Sequence, residues 1–124
     1  MTQETAFGEF RAAMESRDID RAMALMADDV RFLSPVVHGE HVGRAPLQAV
    51  LTAVSAVFED FRYTDSYAGD GGHVLAFAAR VGDRELQGVD ILRGADGVIS
   101  ALTVMVRPYS AVVALRERMA ALLG

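Results

Sequence analysis

The chain has 124 residues, enough for one domain (residues 1–124) with a real core. Hydrophobic residues make up 52% against 23% charged, which excludes intrinsic disorder and points to a lined cavity or a buried subunit interface. A net charge of -5 with no basic run argues against a nucleic-acid partner, and the absence of cysteine removes disulfides and thiol chemistry. Met1-Thr2-Gln3-Glu4 lacks the basic-then-apolar order of a signal peptide. No apolar run approaches the roughly 20 residues of a membrane span. The expectation is a soluble, cytoplasmic protein with no membrane partner.

Phe7, Phe10 and Met14, with Ala6 and Ala13 beside them, have the spacing of an amphipathic helix over residues 3–16. Asp18 can cap a second helix, whose stripe of Ile19, Ala22, Met23 and Met26 stops near Ala27-Asp28-Asp29. Val30-Arg31-Phe32-Leu33 reads as a short strand ending at Ser34-Pro35. A loop follows, Val36 to Gly43, with His38 and His41 in it. Pro46 suits the first turn of a third helix, in which Leu47, Val50, Leu51, Val54, Val57 and Phe58 recur every three or four residues. That is the strongest helical pattern in the chain.

From Glu59 the period becomes two. Phe61, Tyr63 and Tyr67 alternate with polar residues, Gly69-Asp70-Gly71-Gly72 turns the chain, and His73–Val81 returns with Leu75, Phe77 and Ala79 on one face. After Gly82-Asp83 come Arg84–Arg93 and Val98–Pro108, joined by Gly94-Ala95-Asp96-Gly97. Asp-Gly between apolar runs is a strong hairpin signal, because both turn positions need positive φ. Ser110 can cap a last helix carrying Val112, Leu115, Met119 and Leu122. Helices segregated to one side of four long antiparallel strands make an α+β domain. A curved sheet with helices across its mouth would enclose a pocket.

One residue breaks the apolar pattern. Alternation puts Leu86, Gly88, Asp90 and Leu92 on one strand face, and Leu102, Val104 and Val106 on the inward face of the next. A carboxylate among these is costly unless it is paired, hydrogen-bonded or protonated. Asp90 is therefore the candidate chemical centre, either as a catalytic acid or base or as a carboxylate fixed in a structural network. His38 is its candidate titrating partner, being the residue type that changes charge near neutrality. His38-Gly39-Glu40-His41 holds metal-ligand types, but Gly39 makes it a loop and no third histidine or cysteine is near, so no metal is expected. Arg107 reads either as a clamp for a substrate carboxylate or as a surface or dimer-interface pair with Glu85 or Asp83.

Arg17-Asp18-Ile19-Asp20, Leu25-Met26-Ala27-Asp28-Asp29-Val30-Arg31-Phe32, Ser34-Pro35, Gly43-Arg44, and Gly88-Val89-Asp90 with Asp96-Gly97-Val98-Ile99 resemble the nuclear transport factor 2-like superfamily. That group includes SnoaL-like polyketide cyclases, ketosteroid isomerase and limonene epoxide hydrolase. The resemblance implies a cone-shaped, curved antiparallel sheet with N-terminal helices packed across it, a pocket, and often a homodimer through the outer sheet face. Ser34 stands where ketosteroid isomerase has its aspartate base, Phe10 where it has an oxyanion-binding tyrosine, and Asp90 where it has a protonated aspartic acid. Gly88 stands where limonene epoxide hydrolase has an arginine, and no aspartate faces inward on the last strand. One fold hosts many chemistries, so function has to come from the site. The expected ligand is a small apolar molecule of polyketide, terpenoid or steroid type, bound by Ser34, Tyr63, Phe10, Phe77, Leu92 and Val104. The expected reaction, with Asp90 and His38 as its acid–base pair, is cofactor-free isomerisation, cyclisation or hydration. The alternative is a dimeric binding or accessory module without catalysis, and an open cavity reaching Asp90 is what separates the two.

Overall fold

The computed structural model describes residues 2–123. Four helices lie against one open six-stranded sheet. The elements are α1 (Gln3–Glu15), α2 (Ile19–Met23), β1 (Met26–Leu33), β2 (Glu40–Val42), α3 (Arg44–Val57), β3 (Glu59–Gly69), β4 (Gly72–Val81), β5 (Arg84–Ala95), β6 (Val98–Arg107) and α4 (Tyr109–Leu123). The sheet order is β2-β1-β6-β5-β4-β3. The four long strands pair antiparallel in sequence, as alternation predicts. Among the described residues no helix is long and apolar enough to cross a membrane.

Three hairpin turns carry the meander. At Asp96-Gly97 both residues have positive φ, 57° and 78°, the two-residue geometry whose twist matches that of its strands. Gly71 and Gly82 turn the other two hairpins at φ 66° and 61°. Register shifts interrupt β3 twice and the β5–β6 pair once. Each extra residue bends a strand and increases its twist, so the sheet curls rather than lying flat.

The concave face carries the core. α1 buries Ala6, Phe7, Phe10, Ala13 and Met14, and α3 buries Leu47, Leu51, Ala53 and Val57. α4 crosses β4, β5 and β6 and packs on α3, burying Ala111 and Leu115. Inward strand residues meet them: Leu75, Phe77 and Ala79 from β4, Leu86 and Leu92 from β5, Leu102 from β6. α1 is capped by Thr2, whose Oγ1 accepts from Thr5 N at 3.2 Å, and α2 by Asp18, which accepts from Arg21 N at 3.1 Å.

Sequence periodicity misplaces three boundaries. The helical stripe reaching Met26 is broken after Met23, because Met26 belongs to β1, where it pairs with Ile99 of β6. Leu25 O accepts from Ile99 N at 2.8 Å, so sheet pairing outweighs local helical spacing. β1 therefore starts earlier than Val30, and it runs parallel to β6, which makes the sheet mixed. Ser110 does not cap α4: Pro108 O accepts from both Ala111 N and Val112 N, which places Ser110 inside the helix.

Candidate functional site

Strand β5 delivers its carboxyl to the concave face by alternation alone. Asp90 lies opposite Leu75 on β4 and Val104 on β6, and is only 7% exposed. Two residues earlier, Gly88 leaves room that a side chain would take. A methyl there would collide with the ring of Phe77 and the carbonyl oxygen of Met105. The Phe77 ring thus lies over Gly88, beside Asp90. Phe61 fills in at 5.3 Å from Phe77 and Phe58 at 5.9 Å from Phe61, both between ring centroids.

Asp90 is hydrogen-bonded from behind. Tyr63 donates its phenol to Oδ2 at 2.8 Å, and Tyr63 is itself buried. The guanidinium of Arg11 covers the Tyr63 ring, 5.7 Å from its centroid, and Glu15 holds Arg11 at 3.5 Å. Oδ1 of Asp90 has no protein partner among the described residues, yet no fully buried side-chain oxygen or nitrogen lacks one. Oδ1 is therefore the atom left facing open space. Burial pushes the Asp90 carboxyl up to about 7, against the hydrogen bond from Tyr63, which favours the ionised form. Burial first, and the neighbouring carboxyl second, push the Tyr63 phenol far above its ordinary range, so it stays a donor.

The space in front of Oδ1 is a cavity of about 310 Å³, the size of a small-molecule site. Its wall is mostly apolar: Phe10 and Met14 from α1, Val50, Leu51 and Val54 from α3, Leu102 and Val104 from β6, Leu115 and Met119 from α4. Asp90 is the single carboxylate among the described residues that line it; the other charged or titratable side chains are His41, Arg17 and Arg116. Ser34 also lines it, and its Oγ accepts from Val36 N at 3.1 Å and Val37 N at 3.3 Å. Those bonds close a turn and leave the hydroxyl proton free to point elsewhere.

The structure places the sequence candidates differently. Phe10, Ser34, Phe77, Asp90 and Val104 line one cavity. Tyr63 stands behind Asp90, and Leu92 is fully buried in the core, so neither is part of the wall. His38 is exposed, outside the cavity, and the partner of Asp90 is Tyr63. The histidine in the wall is His41, because β2 pairs Phe32 with His41 and the two share the inward face, ring to ring at 6.0 Å. Among the described residues, no three histidine, aspartate or glutamate side chains are grouped closely enough to hold a metal ion. Arg107 is on the other side of the sheet, donating to Gln87 Oε1 at 2.9 Å. Arg17 and Arg116 had no signal in periodicity, since each lies on an exposed stretch that meets the cavity only through tertiary packing.

Comparison with known proteins follows the same geometry. The family model for the SnoaL-like domain matches residues 7–102. The crystal structure of a steroid delta-isomerase from Pseudomonas aeruginosa aligns with a TM-score of 0.93 at 39% identity, covering 98% of this chain and 90% of that one. That of an uncharacterised bacterial protein with a cystatin-like fold, from Silicibacter pomeroyi, aligns with a TM-score of 0.88 at 34% identity, covering 94% and 83%. A protein of unknown function from Xanthomonas campestris, also with a cystatin-like fold, has a TM-score of 0.74 at 22% identity over 92% and 97%, and at that identity shares the fold alone. No curated protein matches the chain.

Proposed function

The chain belongs to the SnoaL-like family of the nuclear transport factor 2-like superfamily, and from that premise we propose that its cavity takes an apolar, ring-bearing ketone of polyketide, terpenoid or steroid type. The observation that carries this reading is one buried carboxyl, with one free oxygen, at the end of an apolar cavity. Near neutrality Asp90 is partly protonated, so Oδ1 can donate to the ketone oxygen. That bond strengthens as negative charge builds on the oxygen during enolisation, which makes it catalytic rather than merely adhesive. Ser34 offers no base at neutral pH. The imidazole of His41 is the remaining wall group suited to take a proton from the carbon beside the ketone and return it at another carbon. This proton transfer is the step that isomerisation and aldol cyclisation share, and it needs no cofactor. The similarity to a steroid delta-isomerase supports the reaction class.

A Δ5-3-ketosteroid tests the proposal directly, because its isomerisation product is a conjugated enone followed by absorbance. Asp90→Ala is expected to lower kcat by about 10²-fold, the usual cost of removing one donor to a developing oxyanion. Unchanged turnover in Asp90→Ala would sink the role given to Asp90, whereas Asp90→Asn keeps an N–H donor and should retain part of the activity. A second reading rests on Ser34, which replaces the isomerase base: a binding module that holds the same ligand without turnover. Tight binding with no product from parent or variant would favour it.

Dimerisation through the outer sheet face belongs to the same proposal. On that face Ala76, Val89 and Met105 lie side by side across β4, β5 and β6, and Met105 is 55% exposed. A second copy of the chain, seated face to face, would cover this apolar row.

A further inference from the structure

The two ends of the cavity differ in charge. Asp90 sits at the deep, buried end, while Arg17, from the α1–α2 connection, and Arg116, from α4, line the cavity as exposed residues at its mouth. Neither arginine pairs with a carboxylate among the described residues, so both guanidinium groups are open to a ligand. Arg17 has one long hydrogen bond, 3.4 Å to Phe58 O. No glutamate and no second aspartate line the space, so the cavity lining carries two guanidinium groups and the single carboxyl of Asp90.

The backbone at Arg17 adds an independent observation. Asp18 N donates to Ala13 O at 2.8 Å and Arg17 N to Met14 O at 3.1 Å, which closes α1 in a Schellman motif with Arg17 in the left-handed position, φ 57°. Glycine is the usual occupant there, because any side chain is strained in that conformation. The other non-glycine residues at positive φ are Asp60 and Asp96, a type that tolerates it. Arg17 thus holds a backbone conformation that glycine would adopt at less cost, and its guanidinium is placed at the cavity by it.

We infer that the ligand is an apolar carboxylic acid, whose carboxylate is met at the mouth by Arg17 and Arg116 while a neutral oxygen on its ring system reaches Asp90. Guanidinium forks suit a planar carboxylate, and a body spanning the cavity would satisfy both ends at once. The inference rests on the cavity being the ligand site proposed above.

The test compares 3-oxo-androst-4-ene-17β-carboxylic acid with its methyl ester, which has the same rings and ketone but no charge. Calorimetric titration of the full chain is run at about 0.02 M and about 0.5 M salt. The acid is expected to bind about fivefold more tightly at low salt, and the preference should shrink at high salt. In Arg17→Gly/Arg116→Gln the affinity for the acid should fall to that for the ester. Arg17→Gly alone should reduce the preference without lowering Tm, an outcome a purely structural arginine would not give. Equal binding of acid and ester by the parent chain overturns the inference and leaves the apolar site standing. So does a preference that survives in the double variant. Binding of neither compound overturns the site and the inference together.

Discussion

In the folded chain the carboxyl of Asp90 keeps its proton up to about pH 7, where an unfolded aspartate releases it near its ordinary value of 3.8. Between those values the folded state binds more protons than the unfolded one, so stability falls as pH rises. The contribution is complete below about pH 4 and lost above about pH 7; at about 1.4 kcal/mol per pH unit it is on the order of 4 kcal/mol. Asp90→Asn abolishes it. The variant is therefore expected to unfold at higher urea than the parent at about pH 8, and the difference should narrow towards about pH 5. A difference that stays constant across that range would show that Asp90 is not the buried acid. At this scale strand alternation already singles out Asp90, because a period of two fixes which face each residue takes. Alternation cannot choose between His38 and His41. That choice waits on a three-residue strand whose pairing sets His41 opposite Phe32.

Strand β5 shows what one element contributes beyond its residues. Gly88 is needed for the cross-strand ring of Phe77 to lie flat beside Asp90. Gly88→Ala would press a methyl against that ring and against the β6 backbone. It is expected to cost about 1–3 kcal/mol in urea unfolding, and to weaken ligand binding as Phe77 is pushed into the cavity. A loss under about 0.5 kcal/mol, within the range of an ordinary surface change, would mean the ring moves freely. The β5–β6 hairpin is legible in sequence because Asp96-Gly97 dictates its own turn. The end of α2 is not legible, because Met26 fits a helix and a strand equally well until Ile99 arrives beside it.

On the scale of the whole molecule, curvature makes the site. Bulges in β3 and between β5 and β6 curl the sheet, α3 and α4 close over it, and a cavity of about 310 Å³ remains. The convex side is left with the row of Ala76, Val89 and Met105. Sedimentation velocity at micromolar concentration is expected to show a dimer, and Met105→Glu a shift towards monomer. A monomeric parent chain would refute the dimer. The sequence by itself determined the α+β class, the order of helices and long strands, the Asp-Gly hairpin and the inward face of Asp90, since each follows from local period or turn chemistry. Only the tertiary structure decided that Tyr63 is the partner of Asp90, that His41 faces the cavity, that β1 runs parallel to β6, and that Arg17 and Arg116 line the same cavity as Asp90. Those relations join residues far apart in the chain, and they are set by sheet register and helix packing, which no local pattern encodes.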